Sequence, residues 1–286
     1  MTDAQRRIVQ DNRMRPFEAY SEDAFYMAIL KQGSAVLKEI AEGASYQTPE
    51  VWVPNVVTAQ PLITPYRSTV IMTANAFARY AEEDIIKGRK ADSQHIETKQ
   101  EDTGMGAQAV VVGISADDFV NSNIYQQIYR YISTYGVQRI TSITDTNREM
   151  AIKIIQKIVA QAQAEGLSIP ETQKLLKEMI PDEWRKAAKW HSERIARTEV
   201  LGASNQGELA QVQASGLPLK KYWIARLDGR ERDAHRQAAI TYSKDKAIGI
   251  NEFFKVDGDM MNGPGDPRGQ AGNVVNCRCV LGWVEG

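Results

Sequence analysis

The sequence predicts an α+β protein, with a mostly helical N-terminal body and a small C-terminal α+β module. Up to about residue 215, apolar residues recur at helical spacing between capping residues and glycines. After Gly216 the texture changes to short alternating segments separated by glycine- and proline-rich turns. At 286 residues, 43% hydrophobic and 25% charged, the chain is long and apolar enough to bury a proper core.

The elements follow in order. Within DAFYMAILKQGSAVLKEIAEG, Phe25, Ile29, Val36, Leu37 and Ile40 fall on one stripe, with Gly43 as a stop. YQTPEVWVPNVVTAQPLITPYR holds four prolines among β-branched residues and reads as extended loop or edge strand, because proline lacks the backbone donor. STVIMTANAFARYAEEDIIKGRK reads as a helix ending near Gly88. A polar stretch follows, with a strand-like AQAVVVG at 107–113 and a capping-box match at 115–118 before an amphipathic run.

The clearest helix is DTNREMAIKIIQKIVAQAQAEG. It places Ala151, Ile154, Ile155, Ile158, Val159 and Ala162 on one face, between a cap at Asp145 or Thr146 and a stop at Gly166. Ser168 and Glu171 form a capping box around Pro170, and Pro181-Asp182 opens a further helix. In the tail, KKYWIARLD, INEFFKVDG and CRCVLGWV read as strands, and Asp228-Gly229 as a turn. The domain reading is an N-terminal region at 1–139 and a C-terminal domain at 140–286, with helices at 140–215 and an α+β tail at 216–286.

Several function classes are disfavoured at once. The N-terminus is polar, without the apolar core of a signal peptide, and no run approaches the ~20 apolar residues of a membrane span. Net charge is -1, with the last 105 residues near +2 and the rest near -3, so no basic arm steers the chain to nucleic acid. Asp257-Gly-Asp259 fails as a calcium loop, because Met261 and Arg268 occupy ligand positions. GPGDPRG lacks the ending of a phosphate loop and reads as a tight turn in which Asp266 bonds nearby N–H groups. GASNQG is no nucleophile elbow.

The only two cysteines, Cys277 and Cys279, sit one residue apart near the end of the chain. They offer two soft ligands to zinc, with His235 a third and Asp228, Asp233 or Asp266 a fourth. A strand spacing of C-x-C chelates poorly. The simpler alternative is two small hydrophobes on the buried face of the last strand, with Arg278 in solvent and His235 a solvated histidine in a charged turn. His95 and His191 read as exposed. Arg197-Thr198-Glu199 near a helix end reads chiefly as a helix-to-tail cross-link. The alternative is an enzyme using Arg197, Glu199 and His235.

In their order, ERIARTEVLGASNQG, GLPLKKYWIARLDGRERDAH, NEFFKVDG, GPGDPRG and VVNCRCVLGW resemble the phage Mu F-like head morphogenesis family of minor capsid proteins. The resemblance covers about 100 residues from Ile195 to Trp283; residues 1–130 carry no family signal. It implies a virion protein in the capsid interior or at the portal vertex, assembled in the host cytoplasm without a membrane anchor. Its partners would be portal, capsid or scaffolding protein, and packaged DNA in some relatives. No cofactor is required, zinc being the one the family's His and Cys would suit, and an ADP-ribosyltransferase-like or nuclease-like effector is the alternative. The family's signature residues fall on Arg197, Thr198, Glu199, Asn205, Trp223, Arg232, Pro264, Asp266 and Asn276, and its metal-ligand positions on His235, Cys277 and Cys279.

Overall fold

The computed structural model describes residues 2–93 and 123–286. The strand-like 107–113, the capping-box match at 115–118 and His95 lie outside the described residues. Among the described residues five helices come first: α1 (Asp3–Ala41), α2 (Pro49–Val56), α3 (Gln60–Ser93), α4 (Asn123–Ala164) and α5 (Ile169–Ala214). The tail runs β1 (Leu219–Ile224), α6 (Asp233–Thr241), β2 (Ile248–Gly249), β3 (Phe254–Val256), β4 (Asp259–Met261), α7 (Ala271–Val274) and β5 (Val280–Glu285). The α+β class holds. Among the described residues, no helix is long and apolar enough to cross a membrane.

Three sequence expectations fail at prolines and caps. The proline-rich stretch is helical: Pro49 and Pro61 lie in the first turns of α2 and α3, where the missing N–H would have no helical partner. Pro54 and Pro65 lie further inside. Pro181 lies inside α5 instead of opening a new helix, and α4 passes through 145–146 uncapped. Proline sacrifices one hydrogen bond in a long helix, and tertiary packing compensates for that local loss. α3 likewise passes Gly88. The glycine stops at Gly43 and Gly166 are real, with φ of 96° and 69°. Before α5, the Ser168 N–H donates to the Glu171 carboxylate at 2.8 Å, as a capping box requires.

The chain divides into two compact units. One comprises Tyr20–Arg67 and Tyr135–Ala196. Its core contains the predicted stripe of Phe25, Ile29, Val36 and Ile40, together with Ile154, Ile155 and Ile158 of α4. The Trp184 indole N–H donates to the Ile29 carbonyl at 2.9 Å and lies where Gly33 has no side chain. A buried amide chain crosses this core, Asn147 donating to Gln32 at 2.7 Å and Gln32 to the Thr58 carbonyl at 2.6 Å.

The other unit comprises Met1–Ala19, Ser68–Thr134 and Arg197–Gly286. Its three-stranded sheet has the order β2-β1-β5, all antiparallel, with β1 and β5 paired from Leu219↔Glu285 to Ile224↔Val280. β3 and β4 form a separate hairpin turning through Asp257 and Gly258 at φ 48° and 86°, the backbone that an Asp-Gly pair favours. Trp223, Phe254, Met261, Val280 and Leu281 fill the core beneath, against Val200, Leu201 and Leu209 of α5. Lys221 is fully buried and its amine donates to the Asn262 carbonyl at 2.9 Å, tying β1 to the turn after β4.

α3 and α5 approach closely at Gly207: a Cβ there would lie 2.0 Å from the Ala74 carbonyl oxygen. Backbone cannot swing aside as a side chain can. Gly207→Ala is therefore expected to destabilise this unit by about 1–3 kcal/mol, measured by chemical unfolding. An unchanged midpoint would mean that the helices separate at no cost.

Candidate functional site

The site grows from one face of α5. Residues three and four apart stack along a helix, so Thr198, Gly202, Asn205 and Glu208 form a row. Each position meets a different part of the tail. The Thr198 hydroxyl accepts the Asn276 N–H at 3.1 Å. Gly202 lies against the backbone of Gly265, where a Cβ would come within 2.9 Å of the carbonyl oxygen. Asn205 donates to the Pro264 carbonyl at 2.9 Å and accepts the Leu281 N–H at 3.2 Å. The buried Glu208 carboxylate accepts the Trp283 indole N–H at 3.2 Å.

The turn held by this row is itself braced. Asp266 accepts the Asn262 and Arg268 backbone N–H groups, at 2.5 and 3.0 Å, and pairs with the Arg268 guanidinium. That is the tight-turn role the sequence predicts for it. Gly265, at φ 77°, supplies the left-handed position.

The cysteines depart from expectation. β5 begins at Val280, so Cys277 and Cys279 lie in the turn before it, where Asn276 adopts φ 56°. This bend turns both sulfurs to His235, which is 2% exposed on α6 and so is not a solvated histidine. His235 Nδ1 lies 3.6 Å from the Cys277 sulfur and 3.4 Å from that of Cys279. The Cys279 N–H also donates to the Cys277 sulfur at 3.5 Å. Trp223 packs edge-on over the imidazole at 5.6 Å, and Arg232, which accepts the first α6 amides on its carbonyl, donates its guanidinium to the Val275 carbonyl. Two adjacent buried thiols cannot both ionise. Hydrogen bonding to Cys279 and burial push Cys277 well above the usual thiol range, while the bond from Cys277 holds Cys279 well below it.

His235, Cys277 and Cys279 present ligand atoms within 4.8 Å of one another, all buried. Zinc bonds of about 2.0–2.1 Å to nitrogen and about 2.3 Å to sulfur at a tetrahedral angle separate such ligand atoms by about 3.5 Å. The two nitrogen–sulfur distances match, so these three donors suit three of the four positions round a zinc ion. The strand-spacing objection falls away with the strand. None of the three aspartates joins the group: Asp228 is paired with Arg226, Arg230 and Arg278, Asp233 with Arg236, and Asp266 with Arg268. Arg278 is accordingly half-buried in an ion pair and not simply solvated.

The other sequence-selected residues separate. Glu199 is buried, while Arg197 is exposed and lines one cavity and His235 another. His191 is buried, not exposed; burial, then the neighbouring Arg194, lowers its pKa to about 4. Sequence reasoning missed Glu208 and the first turns of α1. Arg6 donates to Glu208 at 3.0 Å and to the Leu281 carbonyl at 2.8 Å, Arg7 to the Ala225 carbonyl, and Asp3 and Asp11 receive Tyr222 and Arg226. Glu208 was detectable as a charge on the row that also holds Thr198 and Asn205. The α1 pairings carry no local signal.

Residues 153–282 match the model of the family described as Phage Mu protein F like protein. The match spans the end of α4, all of α5 and the tail as far as the first half of β5, and it takes in the motifs whose order resembles that family. That family suggests a bacteriophage head morphogenesis protein. No curated protein and no solved structure matches the chain.

Burial raises the Glu208 carboxyl, with Arg6 the main opposing influence. A raised folded-state pKa means that this group's contribution is complete below the ordinary 4.5 and is lost as pH rises through the folded value. Arg6→Met removes the compensating charge. The variant should lose about 3–5 kcal/mol at pH 7 and distinctly less near pH 4.5, as read from urea unfolding. Equal losses at both pH values would show that Glu208 is not the group responsible.

Proposed function

We propose that this protein is a minor head protein of a tailed bacteriophage that acts in procapsid morphogenesis, bound near the portal on the capsid interior. The family match at 153–282 carries the reading. The physical character of the tail supports it. Its signature residues Thr198, Asn205, Pro264, Asp266 and Asn276 hold elements together by hydrogen bonds. Among the described residues Arg197 lines one cavity and His235 another, which weighs against the effector alternative. The partners proposed are portal and capsid or scaffolding protein, with packaged DNA contacted during packaging or ejection. Residues 140–286 are proposed as the family domain, with the preceding 1–139 as its companion region.

His235, Cys277 and Cys279 would hold a structural zinc, which supplies a cross-link between α6 and the turn before β5. The same spacing serves a thiol–imidazole hydrogen-bond network, so metal content decides between them. Protein purified without chelator should contain about one zinc per chain, and Cys279→Ser should lose most of it. Metal-free protein whose stability is indifferent to chelator would leave packing alone as the role of the thiols.

The assembly role is checked in phage carrying an inactivated copy of the gene. Heads should fail to mature or package, and the wild-type protein should co-purify with portal. Normal yields of infectious particles without the protein would end this reading.

A further inference from the structure

A cavity of about 110 Å³ opens among Asp11, Arg15 and Glu18 of α1, Arg197 and Leu201 in the second half of α5, the segment after β1 and the turn before β5. That is far above the ~10–15 Å³ needed for one water molecule. Its charged lining consists of Arg15, Arg197, Arg226 and Arg278 together with Asp11 and Glu18. These six residues divide into two groups. Arg226 is paired with Asp11 at 3.0 Å and with Asp228 at 3.2 Å, and Arg278 grips both oxygens of Asp228. Those charges balance, and they fix two guanidinium groups in place.

Arg15, Arg197 and Glu18 are different. None of the three makes a hydrogen bond or ion pair with another described residue. The cavity therefore holds two guanidinium groups, from α1 and α5, that no described hydrogen bond or ion pair fixes, against one such carboxylate. Burial pushes the Glu18 carboxyl up, Arg197 being the first opposing influence, which weakens the one charge that would repel an anion.

We propose that this cavity binds a phosphate group, held by Arg15 and Arg197 above the fixed Arg226 and Arg278. Guanidinium forks match the oxygen geometry of phosphate and carboxylate alike. Phosphate is favoured because it presents oxygens in several directions, so arginines arriving from separate elements can each engage it. One fork suffices for a carboxylate. Near-zero net charge is no objection, since the site is built by local positioning of the arginines and not by a global field. The inference rests on the cavity alone and stands or falls independently of the assembly role.

The full-length protein is titrated calorimetrically with inorganic phosphate in a phosphate-free buffer, and separately with a short single-stranded oligonucleotide. Wild type should bind phosphate, R15Q/R197Q should bind at least about tenfold more weakly, and E18Q should bind more tightly. Because Arg15 and Arg197 make no hydrogen bond or ion pair with another described residue, the thermal midpoint of the double variant should stay close to that of wild type. Should that variant nevertheless unfold, R197K keeps the charge but loses the fork, and it should weaken binding with the fold intact. Tighter binding of the oligonucleotide than of phosphate, lost in R15Q/R197Q, assigns the group to a nucleic-acid backbone. Equal or weaker oligonucleotide binding assigns it to free phosphate or a small ester. No heat of phosphate binding to wild type, or equal affinity in R15Q/R197Q, overturns the proposal.

Discussion

Thr198, Gly202, Asn205 and Glu208 recur at the spacing that stacks positions along one helix face, and each meets a different loop or strand of the tail. The constraint is positional. A six-residue strand such as β5 and a two-residue strand such as β2 cannot specify a fold by their own pairing. They need a straight, stiff edge against which their loops are registered, and α5 supplies it. The contacts are mostly side chain to backbone, so they fix where the chain runs and leave much of the tail's surface sequence free.

The His/Cys group is a consequence of that registration. Asn276 takes a left-handed backbone, and its N–H is held by Thr198. With that residue fixed, the sulfurs on either side of Arg278 both turn to His235. Trp223 of β1 closes the cluster from one side, and its other neighbour, Phe254, lies edge-on at 5.4 Å. The strand, the short helix and the turn therefore converge on one buried point. Such a point can be tied by a metal or by packed thiols without any change in the surrounding chain.

The N-terminal turns of α1 belong to the same unit and complete it electrostatically. Arg6 compensates the buried Glu208 and also caps a carbonyl of β5, while Asp11 and Asp228 hold Arg226 between them. A buried carboxylate is tolerated only with a well-placed cation, so this end of α1 is required by the chemistry of α5. The arginine-lined cavity arises at the same junction, where charges not used in holding the fold remain available to a ligand.

The amino-acid sequence by itself determined the α+β class, the change of texture near residue 216, the glycine stops at Gly43 and Gly166 and the bracing role of Asp266. These depend on local backbone preference and periodicity, which act over a few residues. Only the tertiary structure decided that the proline-rich stretch is helical and that α4 and α5 run unbroken through 145–146 and Pro181. There, burial of whole helix faces outweighs one lost hydrogen bond. Tertiary contact likewise decided that His191 and His235 are buried and that the cysteines precede the last strand. It also joined Arg6 to Glu208 across 202 positions of sequence, since no local rule couples residues that meet only when the core closes.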